Sequence, residues 1–303
     1  MTKNFSLTEQ KILDLFTKGT KFSYNGEDFV VVNSGKPRPH GEKGECKTDI
    51  YISALSKSRK REKEFKLSVK QKNADFLENK IKLDRAKEIF GENAQDIIYK
   101  SIMKLKDDFT EEFLICFDKF GNTDAHSIKL GWKFELVNSK IGKRTGLLDL
   151  THEQKIDVFS GTNLSKGKCD SYIGEEKIDN SGVANYFIEI NPEEIIDADT
   201  IMKKIIPIED YAKTQNIYFA CKALNYRFDE KKWDGDRPLS VYIKWSNKCN
   251  KLNGVVCFDN PLKHTGNEIG IALLKVLDEL KIDSFDELET IIDDSVKCFR
   301  NHK

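Results

Sequence analysis

Residues 44–91 read GECKTDIYISALSKSRKREKEFKLSVKQKNADFLENKIKLDRAKEIFG: two apolar runs joined by a basic turn, then a helical pattern. Side chains alternate faces along a strand. In the first run, a strand over 47–54, Asp49 shares a face with Tyr51. In the second, over 63–71, Lys66, Ser68 and Lys70 share one face and Leu67 and Val69 the other. A hairpin turning near residues 57–60 lays the start of the first strand beside the end of the second. Asp49 and Lys70 are then expected together, at the end opposite the basic tip SKSRKREKE. An acid and a lysine there can form a plain ion pair. They can also be half of a phosphodiester-cleaving site, where carboxylates hold Mg2+ and a lysine orients or deprotonates the attacking water.

Upstream, SLTEQKILDLF predicts a helix, with Ser6 and Glu9 in a capping-box pattern and Ile12, Leu13 and Phe16 as its apolar stripe. KFSYNGEDFVVV predicts a hairpin turning at Asn25-Gly26. NSGKPRPHGEKGE is a Gly- and Pro-rich loop, able to reach a groove through Lys36, Arg38 and His40. After Lys70, a helix is expected from a cap at Asn73 to a stop at Gly91, and another over about 94–107. Strand-like runs follow in EEFLICFD, SIKLGWKFELV, ANYFIEI, NIYFACKALNYRF, RPLSVYIKW and GVVCF. PIEDYA adjoins a short helix, and NEIGIALLKVLDEL and SFDELETIIDDSVKCF are closing helices. The pattern predicts an α/β (α+β) chain with a central mixed β-sheet flanked by helices. Residues 1–110 would supply the catalytic half and 111–303 the rest of the core and a recognition region.

Of the 303 residues, 33% are charged and 39% hydrophobic. The apolar runs fall short of the roughly 18 residues a membrane span needs. The opening MTKNFSLTEQ lacks the apolar core of a signal peptide, so a cytoplasmic protein is expected. Seven cysteines stand singly, in an odd number and without a C-x-x-C pair, which fits buried reduced thiols rather than a disulfide framework or a zinc site. The net charge is zero, yet from Lys36 to Glu88 sixteen Lys and Arg face nine Asp and Glu, a local excess of +7. Such an excess suits a polyanion at one face, or a solvated turn.

The series Asp49, then Ser68-Val69-Lys70 after a gap of 18 residues, resembles the PD-(D/E)xK nuclease superfamily. Its pattern is an Asp at the start of one strand and acid-x-Lys on the next. Ser68 stands where the second acid is expected. In this the chain is similar to type II restriction endonucleases that cut CCGG-type sites, which carry Ser-x-Lys and place the missing acid on the following helix, about fourteen residues beyond the lysine. Here that position is Asp84, followed by Arg85; those enzymes usually have Glu. Glu78 and Glu88 on the same expected helix, and Glu45 and Glu9, are the other carboxylates in question. The resemblance covers roughly residues 45–90. It implies a restriction-endonuclease-like core and Mg2+-dependent cleavage of double-stranded DNA by a homodimer. Asp49 and Asp84 would bind the metal with the main-chain carbonyl of Val69, Lys70 would position the water, and Ser68 would support the site. Arg38, Gln71, Lys72 and Arg85 would meet the DNA. Arg227 and Arg237, in NYRFDEKKWDGDRPLSVYIKW, would reach guanine edges. The alternative is a non-catalytic nucleic-acid-binding protein on the same scaffold, because Ser68 offers no carboxylate.

Overall fold

The computed structural model describes residues 7–71, 76–78 and 81–301. The chain forms two units, each assembled from separated segments. Met1–Ala74, Lys87–Gly91 and Leu150–Gln215 make the first; Asp75–Ala86, Glu92–Asp149 and Asn216–Lys303 make the second. This division does not follow the expected 1–110 and 111–303 halves, because the first sheet takes its later strands from beyond residue 180.

The first unit opens with helix α1 (Leu7–Leu15) and an antiparallel meander of β1 (Lys21–Tyr24), β2 (Glu27–Gly35), β3 (Ile50–Ser56) and β4 (Glu62–Lys70). Asn25 and Gly26 both take positive φ, 50° and 75°, as the tight turn between β1 and β2 requires. The strand Tyr186–Glu189 adds parallel to β4, and Ile206–Pro207 pairs antiparallel to it, so the sheet is mixed. The parallel register sets Ser68 beside Phe187 and Lys70 beside Glu189.

Period-two patterning divides the two faces. On one face Phe65 is fully buried, with ring centroids 5.6 Å from Phe22, 5.2 Å from Tyr24 and 5.5 Å from Tyr186. Ile12 from α1, Phe16 just after it, and Ile201 and Met202 from the helix Ala198–Lys204 complete this core. On the other face Phe187 stacks on Tyr211 at 3.9 Å and meets Phe159 at 6.2 Å. These two rings come from the helices Ile208–Thr214 and His152–Ser160. The latter opens on a reciprocal Thr151–Gln154 capping box and stops at Gly161.

The second unit is built on a nine-stranded sheet around Ser127–Val137, which lies between Tyr218–Arg227 and Val241–Lys248; Lys251–Cys257 pairs outside the latter. A register shift pairs Leu224 with Gly131 but Asn225 with Lys129. Lys129 therefore points to the same side as Trp132, into the interior. Burial pushes its ammonium down to about 8. It lies 3.6 Å from Glu112, which also pairs with Arg144.

Several local expectations change. The stretch expected as a helix from Asn73 instead gives a strand, Phe76–Glu78, paired with the strand Ser127–Val137, and the helix begins only at Leu83 and ends at Phe90. Ladder hydrogen bonds to a long buried strand outweigh local helical periodicity there. Asn73 itself lies outside the described residues. The segment 94–107 divides into two helices, Ala94–Met103 and Lys106–Thr110. The last expected helix shortens to Phe285–Ile291, and Cys298–Phe299 forms a strand pairing with Ile115–Cys116. All seven cysteines are free thiols, but only Cys116 and Cys221 are buried and Cys249 is exposed. Among the described residues no helix is long and apolar enough to cross a membrane.

Candidate functional site

Asp49 stands immediately before β3. Its main-chain N–H donates to the Leu67 carbonyl at 2.8 Å, and its Oδ2 accepts the Val69 N–H at 2.7 Å. The residue thus straddles Ser68, at the end of the hairpin away from the basic tip. Its approach is fixed upstream: the N–H groups of Lys47 and Thr48 both donate to the Gly182 carbonyl at 3.0 Å. Burial pushes the Asp49 carboxyl up to about 6. The Glu9 carboxylate pushes the same way, while the Val69 N–H and the ammoniums of Lys70 and Lys36 pull it back.

Those partners converge from three elements. Glu9 lies in the first turn of α1. Lys36 follows the last residue of β2, and its Nζ sits 2.6 Å from Glu9 Oε2. Lys70 closes β4. Gln71 donates its side-chain amide to the Oγ1 of Thr8 at 2.7 Å, and Thr8 is fully buried. That bond pins the start of α1, and with it Glu9, to the end of β4. The Lys36–Glu9 pair and Lys70 thus act electrostatically on Asp49 where β2 and β4 end and β3 begins.

The other expected residues fall as follows. Ser68 is buried, beside Phe187 in register. Asp84 is exposed, on the part of the helix Leu83–Phe90 that belongs to the second unit; within the first unit, Glu9 acts on Asp49. Glu78 is on a strand rather than on that helix, and Arg85 binds it at 2.9 Å. Arg85 is therefore not an unengaged DNA contact. Glu88 pairs with Lys168. Glu45 is exposed in the loop before β3. Lys72 lies outside the described residues.

Arg38 is exposed, but its main chain bridges to Tyr172 at 2.9 and 2.8 Å and its guanidinium donates to the Gly174 carbonyl. With Lys43, Glu42 and Tyr172 it lines an open cleft of about 570 Å³. Arg227 corrects its sequence reading: its guanidinium is committed to Asp234 at 2.8 Å, Glu230 at 3.3 Å and Asp124 at 3.8 Å. Arg237 is half-buried, and its carbonyl accepts the N–H of Gly266, which opens the helix Gly266–Glu279. The basic tip is partly neutralised as well, since Arg59 pairs with Glu27 at 3.4 Å and Lys57 with Asp28 at 3.9 Å.

The Lys36–Glu9 pair is the feature that strand alternation could not reveal. Its partners stand 27 residues apart, and only the fold of the meander under α1 joins them. The one available signal was an acid in the first turn of the opening helix. Comparison with protein-family models, with curated proteins and with solved structures returns no match to this chain.

Proposed function

We propose that the first unit is a Mg2+-dependent endonuclease that hydrolyses phosphodiester bonds in double-stranded DNA, of the type II restriction kind. One observation carries this reading: a half-buried Asp49 carboxyl held by the Val69 N–H, with Glu9 and the ammoniums of Lys36 and Lys70 acting on it. The donor set suits Mg2+. Among the described residues no three His, Cys, Asp or Glu side chains form a ligand cluster. Mg2+ needs none, because it keeps several waters and is commonly held by one or two carboxylates together with substrate phosphate. Asp49 and Glu9 would hold the ion, with the Val69 carbonyl as a further oxygen. When bound, it would polarise the phosphate and acidify a water. The main-chain bonds at Leu67 and Val69 keep Asp49 aimed at the site. Lys70, fixed at the strand end, would orient the attacking water and hold its position against the phosphorus. Cleavage of both strands would need two such sites, which a homodimer on a palindromic target provides.

Purified protein incubated with plasmid or phage DNA and Mg2+ tests this directly. Lys70→Ala should lower the cleavage rate by about 10²–10⁴-fold with DNA binding largely kept. Glu9→Gln should cut the rate by roughly two orders of magnitude, since an amide is a poor ligand for a hard cation. Asp84→Asn is the comparison. If it is dead while Glu9→Gln is active, the second carboxylate is Asp84.

Binding should weaken with salt, with a log–log slope of about −4 for four or five neutralised phosphates. A slope near zero removes the polyanion. A second reading draws on the charge balance of the site, where two ammoniums offset two carboxylates without a metal. On that reading the unit binds nucleic acid and does not cut it. DNA binding with no Mg2+- or Mn2+-dependent cleavage selects it.

A further inference from the structure

The Lys36 ammonium is paired with the Glu9 carboxylate. Its Nζ is 2.6 Å from Glu9 Oε2, with 31% of the Lys36 side chain and 16% of the Glu9 side chain exposed. It also lowers the carboxyl of Asp49, so its charge acts on both acids. The main chain around Lys36 is fixed on both sides. Gly35 is in register with Tyr51 of β3, and Arg38 bridges to Tyr172. The loop therefore need not move for the ammonium to leave. A four-carbon stem with a partly open path to solvent is enough.

We propose that Lys36 is the resident counter-ion of this site: it holds Glu9 and offsets the repulsion between Glu9 and Asp49 while no divalent cation is bound, and a divalent cation displaces it. The proposal rests on the reading of Asp49 and Glu9 as metal ligands. Two carboxylates brought together in a partly buried place repel each other unless a cation stands between them. A lysine supplies that charge from within the chain. Displacement makes metal binding an exchange of one cation for another, so the lysine weakens the apparent affinity for the metal and frees a positive charge next to it. That charge is then available to the substrate phosphate.

The test uses the full chain without DNA and Mg2+ alone as the probe. Calorimetric titration should give Lys36→Gln a Mg2+ affinity about tenfold tighter than wild type, the effect of removing one neighbouring like charge. Asp49→Ala should lose binding. In parallel, reductively methylated wild-type protein is followed by 13C NMR, with the Lys36 resonance assigned through Lys36→Arg. That resonance should move towards the position of solvent-exposed lysines, with the midpoint found by calorimetry. Unchanged or weaker binding by Lys36→Gln, with Asp49→Ala still losing it, overturns the role of Lys36 and leaves the metal site standing. A Lys36 resonance that stays in place at saturating Mg2+ overturns displacement. If neither wild type nor Lys36→Gln binds Mg2+, the metal reading and this proposal fall together.

Discussion

Asp49→Asn should abolish cleavage and at the same time stabilise the metal-free protein at neutral pH. The variant keeps a side-chain oxygen to accept the Val69 N–H, bonded at 2.7 Å in the native protein, and removes a charge that burial disfavours. The sign follows from linkage. The native carboxyl titrates at about 6, above its unfolded value near 3.9. Below pH ~4 both states hold the proton and Asp49 costs nothing. As pH rises through ~6 the unfolded state has released the proton and the native state must follow, so stability is lost across that window. At pH 7 the loss amounts to about 2–3 kcal/mol, which the substitution should return. Melting in EDTA from pH 4 to pH 8 measures it. The variant and wild type should agree near pH 4, diverge between pH 4 and 6, and stay about 5 °C or more apart above. Equal melting temperatures at pH 7 would mean that the native carboxylate is not destabilised by its surroundings.

Gly182→Ala should be the most damaging single-methyl addition in the first unit. A Cβ there would overlap the Lys168 carbonyl oxygen, a main-chain atom that no rotamer change can move aside. Gly182 also donates its N–H to the Cys169 carbonyl at 2.8 Å and accepts from Lys47 and Thr48 at 3.0 Å. The strain is thus delivered to the two residues that precede Asp49. A cost of about 3 kcal/mol or more is expected from overpacking against backbone. Any protein that still folds should cleave roughly 10²-fold more slowly, because a displacement of about 1 Å is enough to lose that much positioning. Denaturant titration and cleavage at low temperature separate the two effects. Wild-type values in both would show that the Gly182 segment adjusts without moving Asp49.

The hairpin of β3 and β4 was legible because period-two alternation fixes a face for each residue. Alternation groups Asp49 with Tyr51 on the first strand and Lys66, Ser68 and Lys70 on the second, and in the structure Tyr51 pairs with Lys66. The Asn25-Gly26 turn and the strand Ser127–Val137 were legible for similar local reasons. What escaped depends on distant partners. Phe76–Glu78 has the composition of a helix and becomes a strand only because another strand offers its edge. The bulge that turns Lys129 inward leaves no mark in its own sequence. Arg227 looks like a recognition residue until Asp234, Glu230 and Asp124 close around it. In the site, strand geometry sets Asp49 and Lys70 at the same end of the hairpin, whereas Glu9 and Lys36 need the helix laid over the sheet.

The parallel pairing beside β4 sets a timetable for biosynthesis. Lys66 donates its N–H to the Oδ1 of Asn185 and accepts the Asn185 N–H at its carbonyl, from a residue 119 positions later in the chain. At roughly 5–20 residues per second, a ribosome needs about 6–24 s to make what lies between. Throughout that interval β4 is an unsatisfied sheet edge on a nascent chain, the kind of surface that recruits another strand. The lysines and arginines clustered in and around this hairpin then have a use during translation, since charge on an open edge discourages pairing with a neighbour. Slow growth of the sheet, and a need for chaperones at high expression, follow from where one strand sits in the gene.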